Sequence, residues 1–168
     1  MTSTLLTGIG ELTTHTDLGT LHDAALVIEG ERIAWIGQAS DAPAAETCVD
    51  LAGRAVLPGW VDSHTHLVFA GDRAAEFTQR MAGQPYAAGG IMTTVEATRA
   101  AGREALDARA RELRAEALVA GTTTLEAKTG YGLDVDTELL LAEVSAAHAD
   151  IITFLGAHAV PSGIDRRD

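Results

Sequence analysis

Leu57-Pro58-Gly59-Trp60-Val61-Asp62-Ser63-His64-Thr65-His66-Leu67-Val68-Phe69 is the stretch on which the reading of this chain turns. The Pro58-Gly59 pair punctuates its start. The run after that pair is short and rich in Val, Trp, Thr and Phe, the composition of a single β-strand. Side chains alternate along a strand, so Asp62, His64 and His66 are expected on one face, with Ser63 and Thr65 on the other. Two imidazoles at i and i+2 can converge on one metal ion, and imidazole suits zinc, iron, copper or nickel. A bare His-x-His pair also arises by chance, and a lone histidine is more often a core or surface residue than a ligand. The apolar surroundings weigh against that reading, because Asp and His are costly to bury unless paired or coordinated.

Composition narrows the functional classes. The 168 residues could form one domain by length alone. With 12 Lys and Arg against 24 Asp and Glu the formal charge is −12, which argues against a nucleic-acid partner. Residues 1–10 place no Lys or Arg before an apolar run, so no secretory signal is expected. No apolar stretch reaches the roughly 18 residues of a membrane span. The single cysteine, Cys48, excludes an internal disulfide, fits a reducing cytoplasm and is expected to be structural.

Upstream of the histidine strand, residues 1–56 read as short strands and turns. Gly30-Glu31 between Ala25-Leu26-Val27-Ile28-Glu29 and Arg32-Ile33-Ala34-Trp35-Ile36 suggests a tight hairpin. Ala52-Gly53-Arg54 gives a second turn signal between Val49-Asp50-Leu51 and Ala55-Val56-Leu57. His15 and His22 sit among Thr, Asp and Gly and read as solvated.

Downstream the period changes. A helix is expected over 94–101 with Thr93 or Thr94 as N-cap, and a clearer one over 103–120. Leu106, Ala110, Leu113, Ala117 and Ala120 make its apolar stripe, while Glu104, Arg111, Glu112 and Arg114 form a solvated face. Gly121 is the expected stop. Thr122-Thr123-Thr124-Leu125-Glu126 reads as a strand running into the loop Lys128 to Gly132. Asp136 is the expected cap of a helix over 137–147, closed by a surface His148, and Ile151-Ile152-Thr153-Phe154-Leu155 is a third strand. Strands thus alternate with helices and carry polar groups at their C-terminal ends. A (β/α)8 barrel and an open doubly wound sheet both place sites there.

The order Pro58-Gly59-Trp60-Val61-Asp62-Ser63-His64-Thr65-His66-Leu67 resembles the first metal-binding strand of the amidohydrolase superfamily. Leu67-Val68-Phe69-Ala70-Gly71-Asp72-Arg73 narrows the resemblance. So do Lys128-Thr129-Gly130-Tyr131-Gly132-Leu133 and Thr153-Phe154-Leu155-Gly156-Ala157-His158-Ala159-Val160-Pro161. Together they are similar to the imidazolonepropionase family, ring-opening hydrolases of histidine breakdown. The resemblance runs over nearly the whole chain and covers the N-terminal part of such an enzyme.

That resemblance implies an α/β fold: the N-terminal part of a (β/α)8 TIM-like barrel, preceded by part of a small β-sandwich. Residues 1–56 would be the sandwich part and 57–168 the first three βα units, since a whole barrel takes about 250 residues. It implies metal-dependent hydrolysis of the cyclic amide 4-imidazolone-5-propanoate to N-formimidoyl-L-glutamate. His64 and His66 would hold one zinc or iron ion, and the catalytic acidic residues are expected beyond Asp168, so that 1–168 alone would be inactive. Arg73, Tyr131 and His158 match substrate-binding positions. Arg73 would take the propionate in a fork; apart from the resemblance it reads as a surface Arg paired with Asp72 or Glu76. Tyr131 could stack on a planar ring and His158 hydrogen-bond to it or move a proton. Lys128 reads either as a buried amine beside the site or as a partner of Glu126.

The implied partner is a small anionic substrate, without nucleic acid or membrane, in a cytoplasmic homodimer of the full-length enzyme. Tyr86 could also approach the substrate, although only Ala87-Ala88-Gly89-Gly90 separates it from Ile91 where many relatives are longer. Two competitors stay open: an amidohydrolase acting on a different ring, and a non-catalytic metal-binding module.

Overall fold

The structure, a computed structural model, describes residues 2–83 and 90–160. It divides into two compact units, Met1–Pro58 and Gly59–Asp168. No described helix is long and apolar enough to cross a membrane.

The first unit is a five-stranded mixed sheet. Its strands are β1 (Ser3–Thr13), β2 (Thr20–Glu29), β3 (Arg32–Gln38), β4 (Thr47–Asp50) and β5 (Ala55–Val56). β1, β2 and β3 form an antiparallel meander, and Glu29 pairs with Arg32 across the Gly30-Glu31 turn. Gly30 takes φ +59°, which an L side chain seldom adopts. The second turn signal has a different outcome. β4 and β5 do not pair with each other; both run parallel to β1, β4 along Thr4–Thr7 and β5 along Glu11–Leu12. The cause is a break in β1. Its register shifts between Leu6 and Ile9, and Gly8 takes φ +63°. The connecting chain steps across that break by bonding Gly53 N to Gly8 O at 2.6 Å and Gly10 N to Arg54 O at 3.1 Å. A Cβ on Gly10 would lie 2.4 Å from Gly53 O, so this crossing needs a bare backbone. Ile9, Leu12, Ala24 and Leu26 form the unit's core. Cys48 is exposed on β4 rather than packed into that core, and His15 and His22 are exposed as expected.

The second unit alternates strand and helix. It comprises β6 (Trp60–Thr65), α1 (Ala74–Met81), α2 (Gly90–Ala100), α3 (Arg103–Val119), β7 (Thr122–Lys128), α4 (Val135–Ala146) and β8 (Ile151–Thr153). The three strands are parallel and adjacent in chain order, β6-β7-β8. The histidine strand stops at Thr65, short of Phe69, because Leu67 and Val68 leave the ladder and bury themselves in the helix-covered core. There they meet Leu106 and Ala110 of α3, Leu125 and Ala127 of β7, and Leu141 and Val144 of α4. Of the expected stripe on α3, Leu106 and Ala110 are fully buried, Leu113 and Ala117 partly, and Ala120 is an exposed C-cap. Gly121 ends the helix at φ +95° by donating to Leu118 O at 3.0 Å.

Several expectations need correction. α2 begins at Gly90, so Thr93 and Thr94 are helical rather than caps. α1 carried no sequence signal strong enough to be expected. α4 is capped by Asp134, whose Oδ1 accepts from Thr137 N at 2.8 Å; Asp136 lies inside the first turn. His148 is not a surface residue. Its side chain is 12% exposed, with Nε2 2.7 Å from Asp107 Oδ1, so it ties the end of α4 to α3. Arg114 likewise leaves the solvated face and donates to Thr123 O at 2.9 Å and Asp150 Oδ2 at 3.3 Å. Asp150 Oδ2 in turn accepts from Leu125 N at 2.8 Å, which pins the entry of β8 to β7. Both partnerships join residues about 40 positions apart, beyond any helical periodicity.

Leu106→Ala should destabilise the protein by about 2–5 kcal/mol, the cost of a cavity in a closed core. Arg111→Ala, on the exposed face, should change stability by less than about 0.5 kcal/mol. Urea unfolding of both variants checks the contrast.

Candidate active site

The parallel ladder of β6, β7 and β8 brings their C-terminal ends together, and the site forms there. Asp62 Oδ1 turns along its own strand to accept the backbone N–H of His64 at 3.1 Å. The His64 and His66 rings sit edge to face with centroids 5.7 Å apart. His66 is also stacked on Tyr131 at 4.8 Å and 28°, and lies 4.9 Å from the His158 ring. Tyr131 and His158 are 6.1 Å apart, so four of the five expected site residues form one cluster centred on His66.

Two local features make that cluster possible. Gly130 adopts φ +130°, and a Cβ there would stand 2.9 Å from the His158 Cβ. Thr129, buried at the end of β7, donates its N–H to Thr153 O at 3.0 Å and accepts from Leu155 N through Oγ1 at 3.0 Å. The chain that leads to His158 is therefore fastened to the loop that carries Tyr131.

Burial and neighbouring charge shift two members of the cluster, His66 and Tyr131. Burial, then the facing His158 and His64, hold the His66 pKa below the usual 6.5, against a backbone hydrogen bond with Thr129 that raises it. Burial raises the Tyr131 phenol above its usual 10.0, partly offset by the charge of Arg73, so its hydroxyl is a donor at neutral pH. The His66 Nδ1 is buried and has no hydrogen-bond partner. An orphaned, uncharged imidazole nitrogen beside a second imidazole suits a metal ligand. Among the described residues no group of three or more His, Cys, Asp or Glu assembles, so the fit is that of a pair within a larger ligand set.

Arg73 stands at the start of α1. Its guanidinium forks onto Glu76, with Nε to Oε2 at 2.9 Å and Nη2 to Oε1 at 2.7 Å. Asp72 instead accepts from Ala74 N. The charge of Arg73 is nonetheless felt at Tyr131. Lys128 satisfies both of its readings, since it pairs with Glu126 while 16% exposed and its charge is felt at His66. Thr153 also donates to Glu126, and these two bonds hold that carboxyl below the usual carboxylate range. Tyr86 lies outside the described residues. Glu138, not among the expected site residues, bonds the Tyr131 loop through the amides of Gly130, Gly132 and Leu133. Its only signal was an acidic residue six positions after a Gly-Tyr-Gly turn.

The lowered His66 pKa has a pH consequence. In the metal-free protein the unfolded chain protonates this ring before the folded one does. Its contribution to stability is complete above 6.5 and is lost as pH falls from 6.5 through the lower folded value. NMR titration should find the His66 ring ionising below 6.5, and His66→Gln should remove part of the acid-side loss of stability.

Comparison with known proteins gives the same direction. The imidazolonepropionase of Saccharopolyspora erythraea is 64% identical over 166 residues, which cover 98% of this chain and 43% of that protein. That of Paenarthrobacter aurescens is 59% identical over 97% of this chain and 40% of its own length. The chain thus spans about two fifths of the length of these curated relatives. Among solved structures, the atrazine chlorohydrolase of Arthrobacter aurescens TC1, complexed with zinc, superposes with a TM-score of 0.56. It is 21% identical, over 86% of this chain and 33% of its own. That likeness of fold decides between the two windings the strand order allows: the second unit is part of a (β/α)8-type barrel. The sequence model of the amidohydrolase family matches residues 47–161, over two thirds of the chain, and the chain belongs to that family.

Proposed function

We propose that this chain supplies the metal-binding strand and ring-binding groups of an enzyme that hydrolyses 4-imidazolone-5-propanoate to N-formimidoyl-L-glutamate. The observation that carries the reading is the cluster around His66. An imidazole with an orphaned buried nitrogen stands beside a second imidazole, and Tyr131 and His158 flank it at ring-stacking distance. The similarity to proteins named imidazolonepropionase supports the choice of substrate.

His64 and His66 would hold the metal, zinc or iron. When bound it supplies a Lewis acid and brings the pKa of water toward about 7. The other tasks fall to this chain's own groups. The depressed pKa of His66 keeps the ring in its ligating form at neutral pH. The raised pKa of Tyr131 keeps its hydroxyl protonated, able to donate to the imidazolone ring while its face packs on that ring. His158, 4.9 Å from His66 and 6.1 Å from Tyr131 between ring centroids, can hydrogen-bond to the substrate. Arg73, already aligned by Glu76, offers a guanidinium to the propionate. In the net reaction water adds across the ring amide, the C–N bond opens, and the carbonyl becomes the new carboxylate. A cytoplasmic homodimer belongs to the same reading and rests on the family resemblance.

In the family-length enzyme, His64→Ala or His66→Ala should lower metal content, read by elemental analysis, and abolish ring opening. Retention of metal and activity in either variant would refute the ligand assignment. Arg73→Ala should raise KM about ten- to a hundredfold with little change in kcat. A carboxylate remote from the reacting carbonyl is bound equally in ground and transition states. A large fall in kcat at unchanged KM would remove Arg73 as the propionate anchor.

A further inference from the structure

The loop between β7 and α4 has no regular secondary structure, yet its amides converge on one carboxylate. Glu138 Oε2 accepts from Gly130 N at 2.8 Å, and Oε1 accepts from Gly132 N at 2.7 Å and Leu133 N at 3.0 Å. Glu138 is 2% exposed. A carboxylate so buried is costly unless its lone pairs are filled, and here three backbone donors fill them. The approach is close: a Cβ on Gly132 would stand 2.6 Å from the Glu138 backbone nitrogen. Leu133 is held at φ +58°. From the other side Arg99 of α2 donates to the Gly132 carbonyl and pairs with Asp134 at 2.6 Å.

Tyr131 is the residue between the two fastened amides, at 130 and 132. With both neighbours tied to Glu138, the backbone at 131 is fixed, and the ring can lie against His66 without ordering the loop first. A loop of this length left to itself would lose that order to conformational entropy.

We propose that Glu138 is a positioning residue of the ring-binding site, acting through Tyr131 to hold its ring against His66 before substrate arrives. This role rests on the proposed function, in which Tyr131 packs a face on the substrate ring. Glu138 is too buried to meet a ligand itself.

The test uses the family-length enzyme, with imidazole-4-propanoate as a stable planar probe. In Glu138→Gln one carbonyl oxygen remains and an amide NH2 faces a backbone N–H. Hydrogen exchange at 130–133 should then quicken at least tenfold while exchange in α3 is unchanged. The probe Kd and the substrate KM should rise about tenfold, with a smaller change in kcat. Tyr131→Ala should weaken the probe similarly, and the double variant Tyr131→Ala/Glu138→Gln should bind no more weakly than Tyr131→Ala alone. Gly132→Ala, which moves the loop while leaving the carboxylate intact, should reproduce the Glu138→Gln pattern and serves if that variant fails to fold.

Additive losses in the double variant would overturn the proposal, as would faster exchange with unchanged affinity. If Tyr131→Ala weakens binding and neither Glu138→Gln nor Gly132→Ala does, the ring-site reading stands and the positioning role falls. If Tyr131→Ala binds the probe as tightly as the parent, the ring-site reading itself fails.

Discussion

Parallel strands cannot be joined by a tight turn, so β6 and β7 are linked through α1, α2 and α3, and β7 and β8 through α4. That constraint gives β7 its two faces. Leu125 and Ala127 point into the core shared with α3 and α4. Glu126 and Lys128, one position out of phase, point away from that core and pair on the opposite face. The same geometry sends all three strands in one direction, so their ends release their loops on one side. His66, Tyr131 and His158 come from three different strand ends, and no local interaction could have collected them.

The site is built on fixed backbone more than on flexible side chains. Thr129 fastens the loop after β8, Glu138 fastens the loop after β7, and Asp134 starts the helix that carries Glu138. Each is a short polar side chain meeting backbone amides that no helix or ladder satisfies. Such amides would be a cost if buried alone. Here they become the means by which irregular segments hold a single shape. The partial burial that crowds these rings also sets their chemistry: desolvation keeps His66 neutral and Tyr131 protonated.

The first unit meets a related constraint by different means. Its central strand β1 has to accept two short parallel partners in succession, and glycine at positions 8 and 10 lets the backbone between them come within hydrogen-bonding reach. The side-chain core of Ile9, Leu12, Ala24 and Leu26 then closes over that irregularity.

Much of this was legible in the chain itself. The alternation of strand and helix, the α3 stripe from Leu106 to Ala117 and the Gly121 stop follow from local periodicity and backbone preference, which act over a few residues. The His64 and His66 rings do meet, edge to face, although His66 lies just past the end of β6 and the ladder shifts register between Asp62 and Thr65. What the tertiary structure alone decided is what depends on distant partners. Leu67 and Val68 left the strand because a core built by α3 and α4 was there to bury them. His148 and Arg114 left the surface because Asp107 and Asp150, far off in sequence, faced them. Two parallel strands could pair with β1 and not with each other because of a break in β1 itself. Glu138 looked like one more helical acid because its partners are backbone amides, which have no letter in the sequence. Only the folded loop, by bringing three of them to one buried carboxylate, shows what that residue holds.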